Sequence, residues 1–305
     1  MTSRFSLRAL ASRPGTVRGM ASMLTSGFFI YIQLACIRYM SGEVHPFEIV
    51  FFRGVFGALV LLPVFWRQGF KPMRSQRRRM HAVRAGLHAV TLMVGFYALS
   101  LIPLADFAAL TFTSPLFGTL LAWIVLSETI RLPRVAALVA GFLGALIVIR
   151  PGFAEVGAGA LMMLGSSFVS GALATTTKSL SRTESSLTIT LYASFLMIPY
   201  TLVASIPFWT WPSLTALGWL ALIGVLGSVI QLTYAQAMRD ADATLVLSLD
   251  FFKLVWASIL GFLVWREIPA IWTLIGGATI FVAVTALAAH ESRAAKRPVP
   301  PTVEP

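Results

Sequence analysis

The chain has 305 residues, of which 57% are hydrophobic and 12% charged, and its mean hydropathy is +0.81. A soluble domain has about 25% charged residues, so this composition excludes a soluble globular protein and indicates a polytopic membrane protein. The net charge of +12 does not indicate a nucleic-acid partner, because the basic residues lie mainly in loops between apolar segments, as membrane topology requires.

Ten apolar segments have about the length of 20 residues that a helix needs to cross the hydrocarbon layer. They lie at residues 17–40, 44–66, 82–101, 104–126, 134–150, 157–180, 187–209, 214–237, 243–265 and 269–289. Helices are expected because lipid offers no hydrogen-bond partner to a free backbone group. Residues 1–16 are predicted to be an N-terminal arm, and the charged, proline-rich residues 290–305 a disordered tail.

The chain nearly repeats itself after about 140 residues, and a fixed internal period decides the architecture. The matched pairs are Ser26 with Ser166, Arg38 with Lys178, Tyr97 with Tyr234, and Glu128 with Glu267. Each repeat holds five spans, an odd number, so the second repeat must enter the membrane upside down relative to the first. The sequence therefore predicts an all-α polytopic membrane protein of ten transmembrane helices, built as two inverted five-helix repeats at residues 17–150 and 157–289.

The distribution of Lys and Arg predicts the orientation of the chain. Of the 24 such residues, 19 lie on the side that holds both termini and three on the other side, while Arg53 and Lys253 lie within spans. Since cytoplasmic loops carry the excess of basic residues, both termini are expected in the cytoplasm and the protein in the inner (plasma) membrane. The basic cluster at residues 74–79 is either this topology signal or a contact with anionic membrane lipid.

Two basic side chains lie near the middle of predicted spans, where an ionised group costs roughly 2.5–3.5 kcal/mol. Arg53 lies in the second span, and Lys253 lies in the ninth, three residues after Asp250. At that spacing Asp250 and Lys253 share a helix face, so they form either a cavity wall for a charged or zwitterionic solute or a structural ion pair. Arg53 contacts either the solute or a neighbouring carbonyl or carboxylate.

The fourth span is interrupted at mid-depth by a Thr-Phe-Thr-Ser-Pro sequence that contains Ser114 and Pro115. Proline removes a backbone hydrogen bond and kinks a helix. The repeat places this interruption opposite the Asp250–Lys253 stretch, and irregular backbone at matching positions of two halves indicates a central site. A plain packing kink is the alternative.

Glu128 and Glu267 end the fourth and ninth spans on opposite faces and are assigned a structural or gating role.

The third and eighth spans hold five polar side chains, His88, Tyr97, Gln231, Tyr234 and Gln236, and the two tyrosines and Gln236 are further candidates for contact with the solute. His88 is either a structural hydrogen-bonding residue or a proton relay. The two tyrosines either stack on a heterocyclic solute or belong to the aromatic belt at the membrane interface. Small residues at four-residue spacing in the fifth and sixth spans predict close helix packing, within the bundle or between protomers of a homodimer.

Nothing in the sequence indicates catalysis. The metalloprotease, esterase, metal-diphosphate and phosphate-loop motifs are all absent. The four histidines are scattered, and the single cysteine, Cys36, lies in an apolar run where an inert thiol is expected. The chain is therefore predicted not to be an enzyme and to need no cofactor or metal.

Five segments resemble the EamA-type branch of the drug/metabolite transporter superfamily, and the resemblance extends over about residues 17 to 289. The segments are residues 45–53, 102–106, 113–116, 127–128 and 266–269. This resemblance implies ten helices in two inverted repeats, with a central cavity lined mainly by helices 1, 3, 4, 6, 8 and 9. Because helix 2 is usually peripheral in this family, the resemblance places Lys253 ahead of Arg53 as a solute contact.

The second span is similar to that of bacterial S-adenosylmethionine and riboflavin uptake members. The expected function is therefore a secondary transporter that moves a small organic metabolite, heterocyclic in kind, across the plasma membrane by alternating access. An exporter of amino acids or drugs with the same fold is the first alternative. A non-transporting membrane scaffold or a membrane-embedded enzyme are the alternatives from other classes.

Overall fold

The computed structural model describes residues 14–68, 75–126, 132–150, 157–181, 183–184, 186–240, 249 and 252–295. Every regular element within these ranges is helical, and the helices are numbered by span. They are α1 (Pro14–Met40), α2 (Pro46–Gln68), α3 (Arg78–Leu101), α4a (Leu104–Thr111), α4b (Ser114–Leu126), α5 (Leu132–Ile149), α6 (Ala158–Ser181), α7 (Ser186–Ser205), α8 (Leu214–Asp240), α9 (Phe252–Trp265) and α10 (Ile271–Ala295). Among the described residues, eight segments are long and apolar enough to cross a membrane, and α9 is a shorter apolar helix.

Contacts between helix ends establish the direction in which each helix runs. Arg38, near the end of α1, binds the carboxylate of Glu267 just after α9, and Glu267 accepts the backbone N–H of Leu104 just after α3. Helices α1, α3 and α9 therefore end on the same side of the bundle, here named the Arg38 end. The opposite side is named the Arg18 end, where Arg18 of α1 lies 3.2 Å from the carboxylate of Asp240 at the end of α8.

The two repeats run in opposite directions. Arg77, directly before α3, donates to the carbonyl of Ser179 near the end of α6 at 2.9 Å, so α6 ends at the Arg18 end, where its counterpart α1 begins. Likewise, α2 begins at the Arg38 end, and Thr210, which follows α7, donates to Glu48 of α2. Helix α7 therefore ends where α2 begins. The predicted all-α fold of two inverted five-helix repeats is confirmed.

Equivalent residues of the two repeats make equivalent contacts. Ser26 of α1 donates its hydroxyl to the carbonyl of Ile230 in α8 at 3.3 Å, and Ser166 of α6 donates to the carbonyl of Thr91 in α3 at 2.7 Å. Helix α1 thus packs on α8 as α6 packs on α3, and small hydroxyl side chains allow both pairs to approach closely. Each repeat therefore contributes one helix, α1 or α6, that packs against a helix of the other repeat.

The fourth span is broken between Thr111 and Ser114. The Leu110 carbonyl at the break accepts the hydroxyl of Thr113 at 2.7 Å and the hydroxyl of Ser167 from α6 at 3.2 Å. These hydrogen bonds satisfy a backbone group that lipid would leave unpaired. The break therefore lies inside the protein, at the boundary between the two repeats.

Candidate functional site

A cavity of about 380 Å³ lies between α2, α3, α7 and α8. Its polar lining comes from Arg53 on α2, Arg84 and His88 on α3, Ser194 on α7, and Ser228, Gln231 and Tyr234 on α8. Because α2 with α7 and α3 with α8 are repeat-related pairs, the cavity lies at the interface between the inverted repeats. Secondary transporters hold their solutes at such interfaces, near the middle of the membrane.

One wall of the cavity is basic, and this wall belongs entirely to the first repeat. Arg53 extends towards α8, where a β-carbon added to Gly227 would lie 3.3 Å from both Nε and Nη2 of its guanidinium. Arg84 donates from Nε to the hydroxyl of Thr177 in α6 at 2.9 Å. His88 follows Arg84 by one helical turn, so the two side chains share a face of α3. Among the described residues that line the cavity, none is acidic.

The sequence pointed to Arg53, His88, Gln231 and Tyr234, and the structure brings all four to this cavity. It did not single out Arg84, which lies near the start of α3 among the residues counted as a topology signal. The spacing of Arg84 and His88, four residues apart on one apolar helix, is the signal that marks them as a pair. Gln33 of α1 was also missed; it is buried and donates to the carbonyl of Ile223 in α8 at 2.6 Å.

Tyr97 lies in a different place from Tyr234. Its ring belongs to an aromatic cluster at the Arg38 end, 5.8 Å from the ring of His45 and 6.3 Å from that of Phe47. His45 in turn stacks on Phe208 at 4.1 Å. The structure therefore does not bring the two tyrosines together around one solute.

Lys253 lies on α9 and packs against α1. A β-carbon added to Gly27 of α1 would lie 3.9 Å from Lys253 Cγ and 3.7 Å from the ring of Trp256. It does not line the cavity described above. Asp250 and Glu128 lie outside the described residues, as does the side chain of Gln236, so the Asp250–Lys253 pair stays a prediction.

Ser114 and Pro115 open α4b, half-buried and exposed respectively, and they do not line the cavity either. Of the six helices that the family resemblance implies for the central cavity, only α3 and α8 line this one. Its other two walls, α2 and α7, are a repeat-related pair that the resemblance does not place at the central cavity.

Glu267 joins three helices at the Arg38 end. Its two carboxylate oxygens accept both terminal nitrogens of Arg38, at 2.6 and 2.8 Å, and Oε2 also accepts the N–H of Leu104 at 3.2 Å. The Arg38 guanidinium lies 4.7 Å from the ring centre of Trp265. Bidentate arginine–carboxylate pairs are strong and geometrically specific. The ion pair therefore holds the ends of α1 and α9 and the start of α4a together.

A second set of polar contacts ties α3 to α6 at the Arg18 end. Ser75 donates its hydroxyl to the carboxylate of Glu184, and Arg77 donates to the Ser179 carbonyl and to the Thr183 hydroxyl at 3.2 Å. His81 stacks on Tyr192 with ring centres 4.2 Å apart.

Across the part of the chain that the structure describes, no three His, Cys, Asp or Glu side chains converge as metal ligands.

Comparison with known proteins gives a consistent result. Residues 17–150 and 157–289 match the EamA-like transporter family. A riboflavin transporter of Vibrio cholerae is 28% identical over 287 residues, which cover 92% of this chain and 96% of the relative. An S-adenosylmethionine uptake transporter of Rickettsia bellii is 26% identical, covering 86% and 90%. A pseudopaline exporter of Pseudomonas aeruginosa is 30% identical, covering 88% and 95%.

A solved crystal structure has the same fold, with a TM-score of 0.60 over 93% of this chain and 99% of its own. Its sequence identity is 17%, so the likeness concerns the fold alone. The family and the named relatives are transporters, which confirms a small-molecule solute as partner and a function other than catalysis. Because the match covers both halves of the chain, the protein belongs to the EamA-like transporter family, within the drug/metabolite transporter superfamily.

Proposed function

We propose that this transporter moves a small heterocyclic metabolite across the plasma membrane by alternating access, with the solute bound in the cavity between α2, α3, α7 and α8. The observation that carries the proposal is the polar lining of that cavity at the interface of two inverted repeats. Rocking of one repeat against the other would open the cavity to each side in turn. The volume of about 380 Å³ lies within the usual range for small-molecule sites.

The relatives support two directions of transport. The riboflavin and S-adenosylmethionine transporters favour a heterocyclic solute, and the latter is named for uptake. The pseudopaline exporter favours the alternative, an exporter in the same fold. Proteoliposomes that contain the purified protein test both, since labelled riboflavin and S-adenosylmethionine can be placed inside or outside. We expect movement of one solute above that of protein-free liposomes; no movement in either direction, with the protein folded, would contradict the proposal.

Alternating access requires a gate at each end, and we propose as gates two ion pairs that the internal repeat relates to each other. The Arg38–Glu267 ion pair is formed at the Arg38 end. The repeat matches Arg38 with Lys178 and Glu267 with Glu128. We therefore assign Lys178 and Glu128 as the partner gate at the Arg18 end. In this mechanism one ion pair forms as the other breaks, so that the cavity never opens to both sides at once.

The Arg18 end is proposed to face the cytoplasm, because it carries the excess of basic residues. Reporter fusions after Gly69 and Pro305 are expected to give a cytoplasmic signal, and fusions after Gly42 and Trp211 a periplasmic one. A periplasmic signal at either of the first two positions would contradict the assigned orientation.

Lys253 does not line that cavity, so it is proposed as a solute contact at a different point of the transport path, on α9. We expect Lys253→Ala to lower transport by about tenfold or more, since a hydrogen bond to a charged group is worth about 1.5–3 kcal/mol. Lys253→Arg should restore transport only in part, because the guanidinium is larger and planar. Uptake into proteoliposomes, normalised to folded protein, measures both.

The alternative role for Lys253 is a structural pair with Asp250. In that case Lys253→Ala would lower the yield of folded protein, because it leaves Asp250 unpaired. The double variant Asp250→Ala with Lys253→Ala would then recover expression and transport together. Such a recovery would overturn the binding role.

A further inference from the structure

Three basic side chains converge on the cavity without complete hydrogen bonding. Nε of Arg53, Nη1 of Arg84 and Nδ1 of His88 are buried, and none has a hydrogen-bond partner within the described part of the chain. All three residues line the same cavity. Each of the three side chains therefore carries a buried, unpaired polar atom in the wall of one cavity.

This arrangement is costly in the absence of a ligand. An unsatisfied buried polar atom costs about 1–3 kcal/mol, and more when the group is charged. A basic side chain at mid-membrane persists when it faces a partner or a water-filled cavity. Two arginines that face one cavity from adjacent helices also repel each other, so an anion between them would relieve both costs.

The acidic residues of the segments around the cavity make their contacts towards the two ends of the bundle. Glu48 of α2 is fully buried at the Arg38 end, where its Oε1 accepts the N–H and hydroxyl of Thr210 and its Oε2 has no hydrogen-bond partner within the described part of the chain. Glu184 accepts Ser75 at the Arg18 end and lies 3.9 Å from His81. Among the described residues, neither these nor any other carboxylate lines the cavity. Within the described part of the chain the charge of the two guanidinium groups is therefore not balanced at the cavity, and an anionic solute would balance it.

We infer that the solute carries a carboxylate or phosphate group, held by the guanidinium groups of Arg53 and Arg84. This inference rests on the proposed transport function and names the class of solute. Guanidinium groups suit the role because their planar N–H donors match the oxygens of carboxylate and phosphate. His88 Nδ1 is a third polar contact. Tyr234 and Gln231 on α8, across from this basic wall, supply an aromatic face and an amide for the uncharged part of the solute.

The test is binding of matched anionic and neutral solutes to the purified protein in phosphatidylcholine nanodiscs. Suitable pairs are flavin mononucleotide with riboflavin, adenosine monophosphate with adenosine, and a panel of carboxylic acids with their amides. We expect at least one anion to raise the melting temperature and to bind about tenfold or more tightly than its neutral partner, as a charge-assisted hydrogen bond implies. If no anion binds, or if the neutral partners bind as well, the inference is wrong.

Substitutions of the two arginines test where the anion binds. Arg53→Gln and Arg84→Gln should each remove the preference for the anion, and Arg53→Lys should retain part of it if Arg53→Gln fails to fold. Arg266→Gln is the matched control, because it removes an exposed arginine at the Arg38 end that does not line the cavity. An anion preference that survives both Arg53→Gln and Arg84→Gln would overturn the assignment.

A lipid phosphate has the same chemistry as a phosphorylated solute, so the nanodisc composition separates them. With phosphatidylglycerol in place of phosphatidylcholine, we expect soluble anions to bind with unchanged affinity. Displacement of those anions by the lipid, dependent on Arg53, would assign the site to a headgroup and overturn its role as a solute site.

The inference of an anionic solute and the transport proposal can fail independently of each other. Uptake of a neutral solute, equal in wild type and Arg53→Gln, would overturn this inference and leave transport intact. Anion binding that requires Arg53, without movement of any solute, would support the inference and contradict transport.

Discussion

A covalent link between positions 38 and 267 is expected to reduce transport to background, and cleavage of that link to restore it. Arg38 and Glu267 form the only ion pair that the described residues show at the Arg38 end. Alternating access requires this end to open in each cycle, so a link that replaces the ion pair would hold it shut. The native Cys36 lies two residues from Arg38, and the background therefore carries Cys36→Ser.

The experiment uses Arg38→Cys and Glu267→Cys with a reducible bifunctional thiol reagent, because the two long side chains keep the backbones too far apart for a direct disulfide. Transport into proteoliposomes is measured before linking, after linking and after reduction. The single-cysteine variants control for modification without a link. Gly42→Cys with Glu43→Cys controls for a link within one turn at the same end. Full transport with the 38–267 link intact would show that this end does not open.

The second large effect is expected where α4b crosses α6. A β-carbon added to Gly171 would lie 2.6 Å from the backbone nitrogen of Gly118 and 2.9 Å from the carbonyl carbon of Phe117. Backbone atoms cannot move aside as a side chain can, so the two helices would have to separate. Overpacking costs about 1–3 kcal/mol even where side chains can adjust. We therefore expect Gly171→Ala to lower the melting temperature and the yield of folded protein strongly.

Gly165 on the same helix is the matched control, because a β-carbon there meets no atom within 4 Å in the described part of the chain. Alanine is favoured over glycine in a helix by about 1 kcal/mol, so Gly165→Ala is expected to be neutral or stabilising. Thermal melts followed by size-exclusion chromatography compare the two. Equal melting temperatures would show that the crossing of α4b and α6 tolerates the added methyl group.

Local sequence decided the elements and their number. A span needs a run of about 20 apolar residues, which is a property of contiguous sequence, and so α1, α5 and α10 lie close to their predicted ranges. The break near Pro115 was predictable for the same reason, because proline acts on its own helix. The inverted arrangement of the two repeats followed from counting spans, because an odd number of spans separates matched residues such as Arg38 and Lys178.

Only the tertiary structure decided which side chains meet. Arg38 and Glu267 are 229 residues apart in sequence, and Arg53, Arg84 and Tyr234 come from three different helices. In a soluble helix the apolar face shows which side is buried, but a spanning helix is apolar towards lipid as well as towards its neighbours. The sequence therefore determined ten spanning helices in two inverted repeats, whereas the rotation of each helix, and with it the basic cavity between α2, α3, α7 and α8, was decided by packing.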